Sequence, residues 1–138
     1  MAVLARAGAE EIAAGLGHAG NLPSHRRLRG PETGLVMVRG RIGGGGDAFN
    51  LGEMTATRCT VRTECGHIGH AYVAGRDARQ AELAALADAL LQDPARQDAL
   101  MLSVVEPLAA AQQARAETTI RQAAATQVQF FTLATMRS

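Results

Sequence analysis

An α+β fold is the class this sequence predicts: a small antiparallel β-sheet of about three strands, packed with N-terminal and C-terminal α-helices. Three observations lead there. Strand-like runs crowd the stretch between residues 35 and 74, punctuated by glycine at 43–46 and by Cys65-Gly66. The segments on either side are rich in alanine and leucine at helical spacing. Helix signals, Asp77 with Gln80 and then Asp93-Pro94, bracket a leucine stripe. At 138 residues, a single domain covering 1–138 is expected.

The first 17 residues read as a short helix with Val3, Leu4, Ile12 and Leu16 as its larger apolar members. Gly17–Gly20 ends it, and Asn21–Gly30 reads as a polar, basic connector. Leu35–Ile42 is predicted as a strand, with Val36, Val38 and Ile42 on one face and Leu35, Met37, Arg39 and Arg41 on the other. Gly43–Asp47 is a loop, and Met54–Thr63 forms a second strand. Ile68–Ala74 forms a third, after a two-residue hairpin turn at Cys65-Gly66. That turn places Thr57, Cys59 and Val61 on a core-facing side with Ile68, His70 and Tyr72, and leaves Arg58, Thr60 and Arg62 opposite with His67.

Asp77 suits a helix N-cap, with Gln80 completing a capping box. Leu83, Leu86, Ala87, Leu90 and Leu91 follow the spacing of a buried helical stripe. Asp93-Pro94 stops that helix. A further helical region covers about Ala95–Ala125, broken at Pro107, which suits the first turn of a new helix. Its second half is mostly Ala, Gln, Arg and Glu, so it is expected to lie on a partner or a second copy.

Apolar residues make up 47% of the chain but aromatics only 3%, which favours closely packed small-residue faces over a bulky core. The net charge of +1 supplies no strong field towards nucleic acid or an acidic membrane. All 14 basic residues are Arg, a bias that a GC-rich genome explains, although Arg also suits bidentate recognition of carboxylates and phosphates. No run reaches the roughly 18 apolar residues of a membrane span. Met1–Leu16, with Arg6, Glu10 and Glu11, lacks the apolar core of a signal peptide, so a cytoplasmic location is expected.

Arg39 and Arg41 alternate on the first strand, as Arg58 and Arg62 share parity on the second. If the strands pair, these four form a cationic surface for phosphate or for a partner, with Glu53 and His70 as further contact candidates. Glu32 and Glu53 are the carboxylates close enough in sequence for acid–base work, and salt bridges to neighbouring Arg are their expected role. The glycine loop is no nucleotide P-loop, since the Lys and Ser/Thr that would follow are missing. Cys59, Cys65, His67 and His70 look superficially like a metal site. Strand parity separates the histidines, however, and about 20 Å of extended chain separates the cysteines. Free thiols, no metal and no catalytic residue are therefore expected. These residues alone describe a small domain with a basic strand face, a binding module for protein or RNA. The stacking aromatics of sheet-type RNA readers are missing, so nucleic acid is not the expected partner.

The order and spacing of PETGLVMVRGRIGGGG, FNLGEMTATRC, GHAYVAGRD and AELAALADALLQ resemble the PhnG family, a small subunit of the bacterial carbon–phosphorus lyase system, over roughly Leu28–Gln92. The terminal VQFFTLATMRS resembles the family's ending as far as Leu133, where relatives continue Val-Arg-Gly. Gly45 also departs from the Gly-Gly-Thr-Gly usual in relatives. The resemblance implies an accessory subunit of α-D-ribose 1-methylphosphonate 5-triphosphate synthase, acting in phosphonate catabolism. Its implied partners are PhnI, PhnH and PhnL, with PhnJ and PhnK in the wider assembly. There the adenine of ATP is displaced by the phosphonate at ribose C1′. ATP and phosphonate are then substrates of the complex, and the subunit has no cofactor of its own. The family carries over no catalytic residue. The alternative it leaves open is a direct contribution of Arg41, Arg58 or Arg62 to phosphate charge in a shared active site.

Overall fold

The computed structural model describes residues 1–41 and 45–128. Ile42, Gly43-Gly44 and the tail beyond Val128, for which a strand end, a loop and a family-like ending are expected, lie outside the described residues. The chain is α+β, in the order expected. A 3₁₀ turn (Leu4–Arg6) and helix α1 (Ala9–His18) precede strands β1 (His25–Gly40), β2 (Phe49–Thr63) and β3 (Ile68–Ala74). Helices α2 (Ala78–Leu90), α3 (Pro94–Leu100) and α4 (Glu106–Ala125) follow, with a π-helical turn at Met101–Val105 between the last two. The sheet is antiparallel, in the order β1-β2-β3.

The core lies between one face of the sheet and α2, with α1 packed against α2. Leu4, Ile12, Leu16, Val61, Val73 and Val104 are its largest fully buried aliphatic members. Alanine does much of the rest: Ala81, Ala84, Ala85, Ala87 and Ala89 of α2 are buried, and Leu83 and Leu91 of the expected stripe are only half-buried. Small side chains let α2 come down onto β3 at Gly69, where a Cβ would overlap the Ala85 carbonyl oxygen and the Ala89 amide nitrogen. The same helix seals the sheet's exposed edge: the His70 amide donates to Asp88 Oδ2 at 3.0 Å, and Gln92 Nε2 donates to the Ile68 carbonyl at 2.7 Å.

Asp77 caps α2 by accepting from the Gln80 amide at 2.9 Å, as expected. The capping box is not completed. Gln80 turns its amide nitrogen away, donating to the carbonyls of Ala5 (3.3 Å) and Ala7 (2.7 Å), and so ties the 3₁₀ turn to α2.

Four expectations are corrected. The Asn21–Gly30 connector is in part strand: β1 starts at His25, because Arg26, Arg27 and Arg29 pair with Arg62, Val61 and Thr60. Pro31 does not interrupt this, since it falls within a bulge between Arg29 and Glu32 where the ladder asks for no amide. β2 starts at Phe49 rather than near Met54, so β1 and β2 run beyond β3 as a two-stranded arm from Leu35–Gly40 to Phe49–Thr55. The β2–β3 turn is one residue longer than expected. It is closed by Thr63 N–H to His67 O (3.0 Å) and Gly66 N–H to Thr63 O (2.9 Å), with Gly66 at φ +92°. Pro107 sits in the first turn of α4 but does not break the rod, because the preceding π turn bonds the Glu106 amide to the Met101 carbonyl and absorbs the missing proline donor.

α4 buries only Leu108 and is held to the N-terminal region by Gln112 Nε2 on the Val3 carbonyl (2.8 Å) and by an Arg115–Glu11 ion pair.

Candidate functional site

Adding one residue to a β-turn moves every side chain of the following strand to the other face. Here that exchange builds the site. The observed register pairs Arg62 with Ile68, Thr60 with His70, and Arg58 with Tyr72. Cys59 and Val61 face Ala71 and Gly69 in the core. His70 and Tyr72, expected on the core side, are instead exposed and stand beside the arginines. On the other flank, β1 sets Arg26 beside Arg62, Arg29 beside Thr60, and Glu32 beside Arg58. The face of the sheet turned away from the helices therefore carries three rows: Arg26–Arg62–Ile68, Arg29–Thr60–His70 and Glu32–Arg58–Tyr72.

Gly30 shapes the flank on β1. It adopts φ +68°, and a Cβ there would lie 2.6 Å from the Arg58 carbonyl oxygen and 2.7 Å from the Glu32 amide nitrogen. The tight bulge it allows turns Arg29 and Glu32 onto the same side. Glu32 Oε2 then accepts from Arg58 Nε at 3.0 Å and from Arg29 Nε at 3.1 Å. Beside it, Thr60 Oγ1 and His70 Nδ1 are 3.1 Å apart. A shallow cleft of about 190 Å³ opens between Glu32, Leu35, Ala56, Arg58 and Tyr72.

The hydrogen bond from Arg58 holds the Glu32 carboxyl below the ordinary glutamate value, with Arg29 adding to the effect and partial desolvation opposing it. The pairing thus favours the folded state fully above the unfolded glutamate pKa of about 4.3, and its contribution is lost as pH falls through the lower folded value. Carbon-detected NMR titration should give Glu32 a midpoint below that of an unstructured glutamate. Arg58→Ala should raise the midpoint, and an unchanged one would show that the pair does not persist in solution.

The four-arginine surface expected from strand parity does not form. Arg58 and Arg62 belong to the open face, but Arg39 lies seven positions past Glu32 on the arm, about 23 Å away along an extended strand. There Arg39 Nη2 donates to the Ala48 carbonyl at 3.1 Å. Arg41 follows just beyond the end of β1, exposed, and Glu53 is on the arm opposite Met37. Glu32 takes the salt-bridging role expected of it; Glu53 has no ion pair among the described residues. The cationic residues that do join Arg58 and Arg62 are Arg26 and Arg29; they are three positions apart and share the face only through the register shift between Arg27 and Arg29, so the alternation of HRRLRG does not reveal them.

Elsewhere, Glu82 of α2 accepts from Arg27 Nη2 at 2.6 Å and lies 3.3 Å from His25 Nε2, clamping β1 to the helix layer. The two cysteines are free, Cys59 buried and Cys65 exposed on the turn, and burial pushes the Cys59 thiol up. No group of three or more His, Cys, Asp or Glu side chains suited to a metal occurs among the described residues. No helix among them is long and apolar enough to cross a membrane.

The family model for the phosphonate metabolism protein PhnG matches residues 1–136. The chain belongs to the PhnG family. A curated relative from Rhizobium meliloti (strain 1021), the alpha-D-ribose 1-methylphosphonate 5-triphosphate synthase subunit PhnG, is 47% identical over 136 residues, covering 96% of this chain and 85% of the relative. The match to the PhnG model spans β1, β2, β3 and the helices packed behind them, so the arginine face belongs to the region that defines the family rather than to an appended segment.

Proposed function

We propose that this PhnG-family chain is an accessory, non-catalytic subunit of an α-D-ribose 1-methylphosphonate 5-triphosphate synthase, working with PhnI, PhnH and PhnL subunits in phosphonate use. PhnJ and PhnK subunits are partners in the wider assembly, and the chain works in the cytoplasm. The observation that carries this reading is the 47% identity to the Rhizobium subunit over 96% of the chain. ATP and the phosphonate are the substrates of the assembly, and this subunit brings no cofactor.

The chemistry of its own residues supports an accessory role. Glu32 is kept ionised by two guanidiniums and is poorly suited to donate a proton at neutral pH. Cys59 is buried with a raised pKa, the reverse of an activated thiolate.

The test is release of adenine from ATP plus methylphosphonate, followed chromatographically. The purified chain alone is expected to release none, and the set reconstituted with cognate PhnI, PhnH and PhnL to turn over. Leaving this chain out should reduce that turnover at least tenfold. Robust release by the isolated chain, or an unchanged rate without it, would overturn the reading.

A further inference from the structure

We propose that the open face of the sheet docks an acidic protein partner, with Arg26 and Arg62 gripping its carboxylates beside Ile68 and with Tyr72 making an apolar contact further along β3. The proposal rests on the subunit reading above and assigns the surface through which the subunit is held.

The charge on this face is unbalanced. Four arginines share it with two carboxylates, and Glu32 is already engaged by Arg29 and Arg58. Glu64 at the rim accepts from the Ser24 hydroxyl. Arg26 and Arg62 make no ion pair among the described residues, yet they stand directly opposite one another on neighbouring strands. Like charges in that position oppose the pairing of the strands. A carboxylate from outside, bridging the two guanidiniums, relieves the repulsion and gains charge-assisted hydrogen bonds.

The β3 side of the face has the composition of an interface. Tyr72 is 53% exposed and Ile68 38% exposed, on a surface that α1 and α2 leave uncovered. Arginine around an exposed tyrosine is the combination that recurs at the energetic centres of protein interfaces. Shape and spacing favour a protein over other anions. Arg58 and Arg62 are about 13 Å apart along β2, matching carboxylates spaced along a strand or helix better than one phosphate group. A single aromatic gives nucleic acid little to stack on.

Charge reversal separates docking from a structural role. Arg62→Glu and Arg26→Glu each replace a like-charge pair by an opposite-charge pair, so each variant should melt at or above the wild-type temperature. The same changes should weaken binding to the assembly purified without this chain by at least tenfold, and lessen its salt dependence. Arg39→Glu, on the arm, should bind as wild type. A photo-crosslinker in place of Tyr72 should attach to an Asp- or Glu-bearing segment of a co-purified subunit.

Wild-type affinity and salt dependence in both reversal variants would overturn the docking face while leaving the subunit reading intact. So would a crosslink to a segment free of acidic residues. Displacement of the chain from the assembly by a 20-nucleotide oligouridine, with the reversal variants losing RNA but keeping their subunits, would reassign the face to nucleic acid. A wild-type chain that binds no subunit of the assembly would overturn both readings.

Discussion

Replacing Gly69 by valine is expected to cost about 3 kcal/mol or more of folding stability, roughly 10 °C in Tm for a domain of this size. Gly69 faces the core from β3, directly beneath α2. The atoms a side chain would meet there are the Ala85 carbonyl oxygen and the Ala89 amide nitrogen, together with the Ala89 Cβ at 2.8 Å. Two of these are helix backbone, so no rotamer change makes room. The helix itself must lift away from the sheet, and lifting it pulls Asp88 and Gln92 from the β3 edge they cap. Even Gly69→Ala should be clearly destabilising. Gly34→Ala is the control: it lies on β1 with nothing within 4 Å of a Cβ, and should change stability by no more than about 1 kcal/mol in either direction. Calorimetric melting of the three variants decides the matter. A Gly69→Val protein that melts with the wild type would show that α2 does not pack this closely on β3.

The next largest effect is expected at Gly30. Alanine there must adopt the left-handed φ of +68° and place its Cβ 2.6 Å from the Arg58 carbonyl and 2.7 Å from the Glu32 amide. Strained backbone of this kind costs on the order of 1–3 kcal/mol, and the overlap with main-chain atoms adds to it. A total near 3 kcal/mol is expected, with a specific local signature. Relief of the overlap reopens the bulge and moves Arg29 and Glu32 off the open face, so the Glu32 carboxyl should titrate closer to an ordinary glutamate. A stable Gly30→Ala protein with an unaltered Glu32 midpoint would show that another conformation serves the bulge equally well.

These two glycines also mark where sequence reading reaches its limit. The bounds of β3, the Asp77 cap of α2 and the end of α2 before Asp93-Pro94 were legible, because each depends on signals a few residues apart. The Cys65-Gly66 dipeptide announces a turn as well. It does not announce whether the turn holds two residues or three, and that difference exchanged His70 and Tyr72 with the residues expected to be exposed. The basic segment before Pro31 reads as a connector because proline and glycine punctuate it, while the bulge that lets β1 continue through them depends on pairing with β2, some 30 residues away in sequence. Of the candidate residues, Arg58, Arg62 and His70 meet on one face, whereas Arg39, Arg41 and Glu53 do not join them. Parity says which residues of an unbulged strand share a face, but not where a bulge resets it, as between Arg26 and Arg29, nor how far along the sheet they stand from residues on another strand.

By itself the sequence determined the family, the α+β class, the order of the elements and the alternation along Met54–Thr63 and Ile68–Ala74. All of these follow from local composition or from the linear order of residues. Only the tertiary structure decided which side of each strand meets the helices, and therefore that Arg26, Arg29, Glu32, Arg58, Arg62, His70 and Tyr72 share one open face. The physical reason is that a strand's two faces are related by a shift of one residue. The choice between them is made by the core: α2 can approach only where Gly69, Ala71 and Val73 point inward, and the arginine face is what that packing leaves outside.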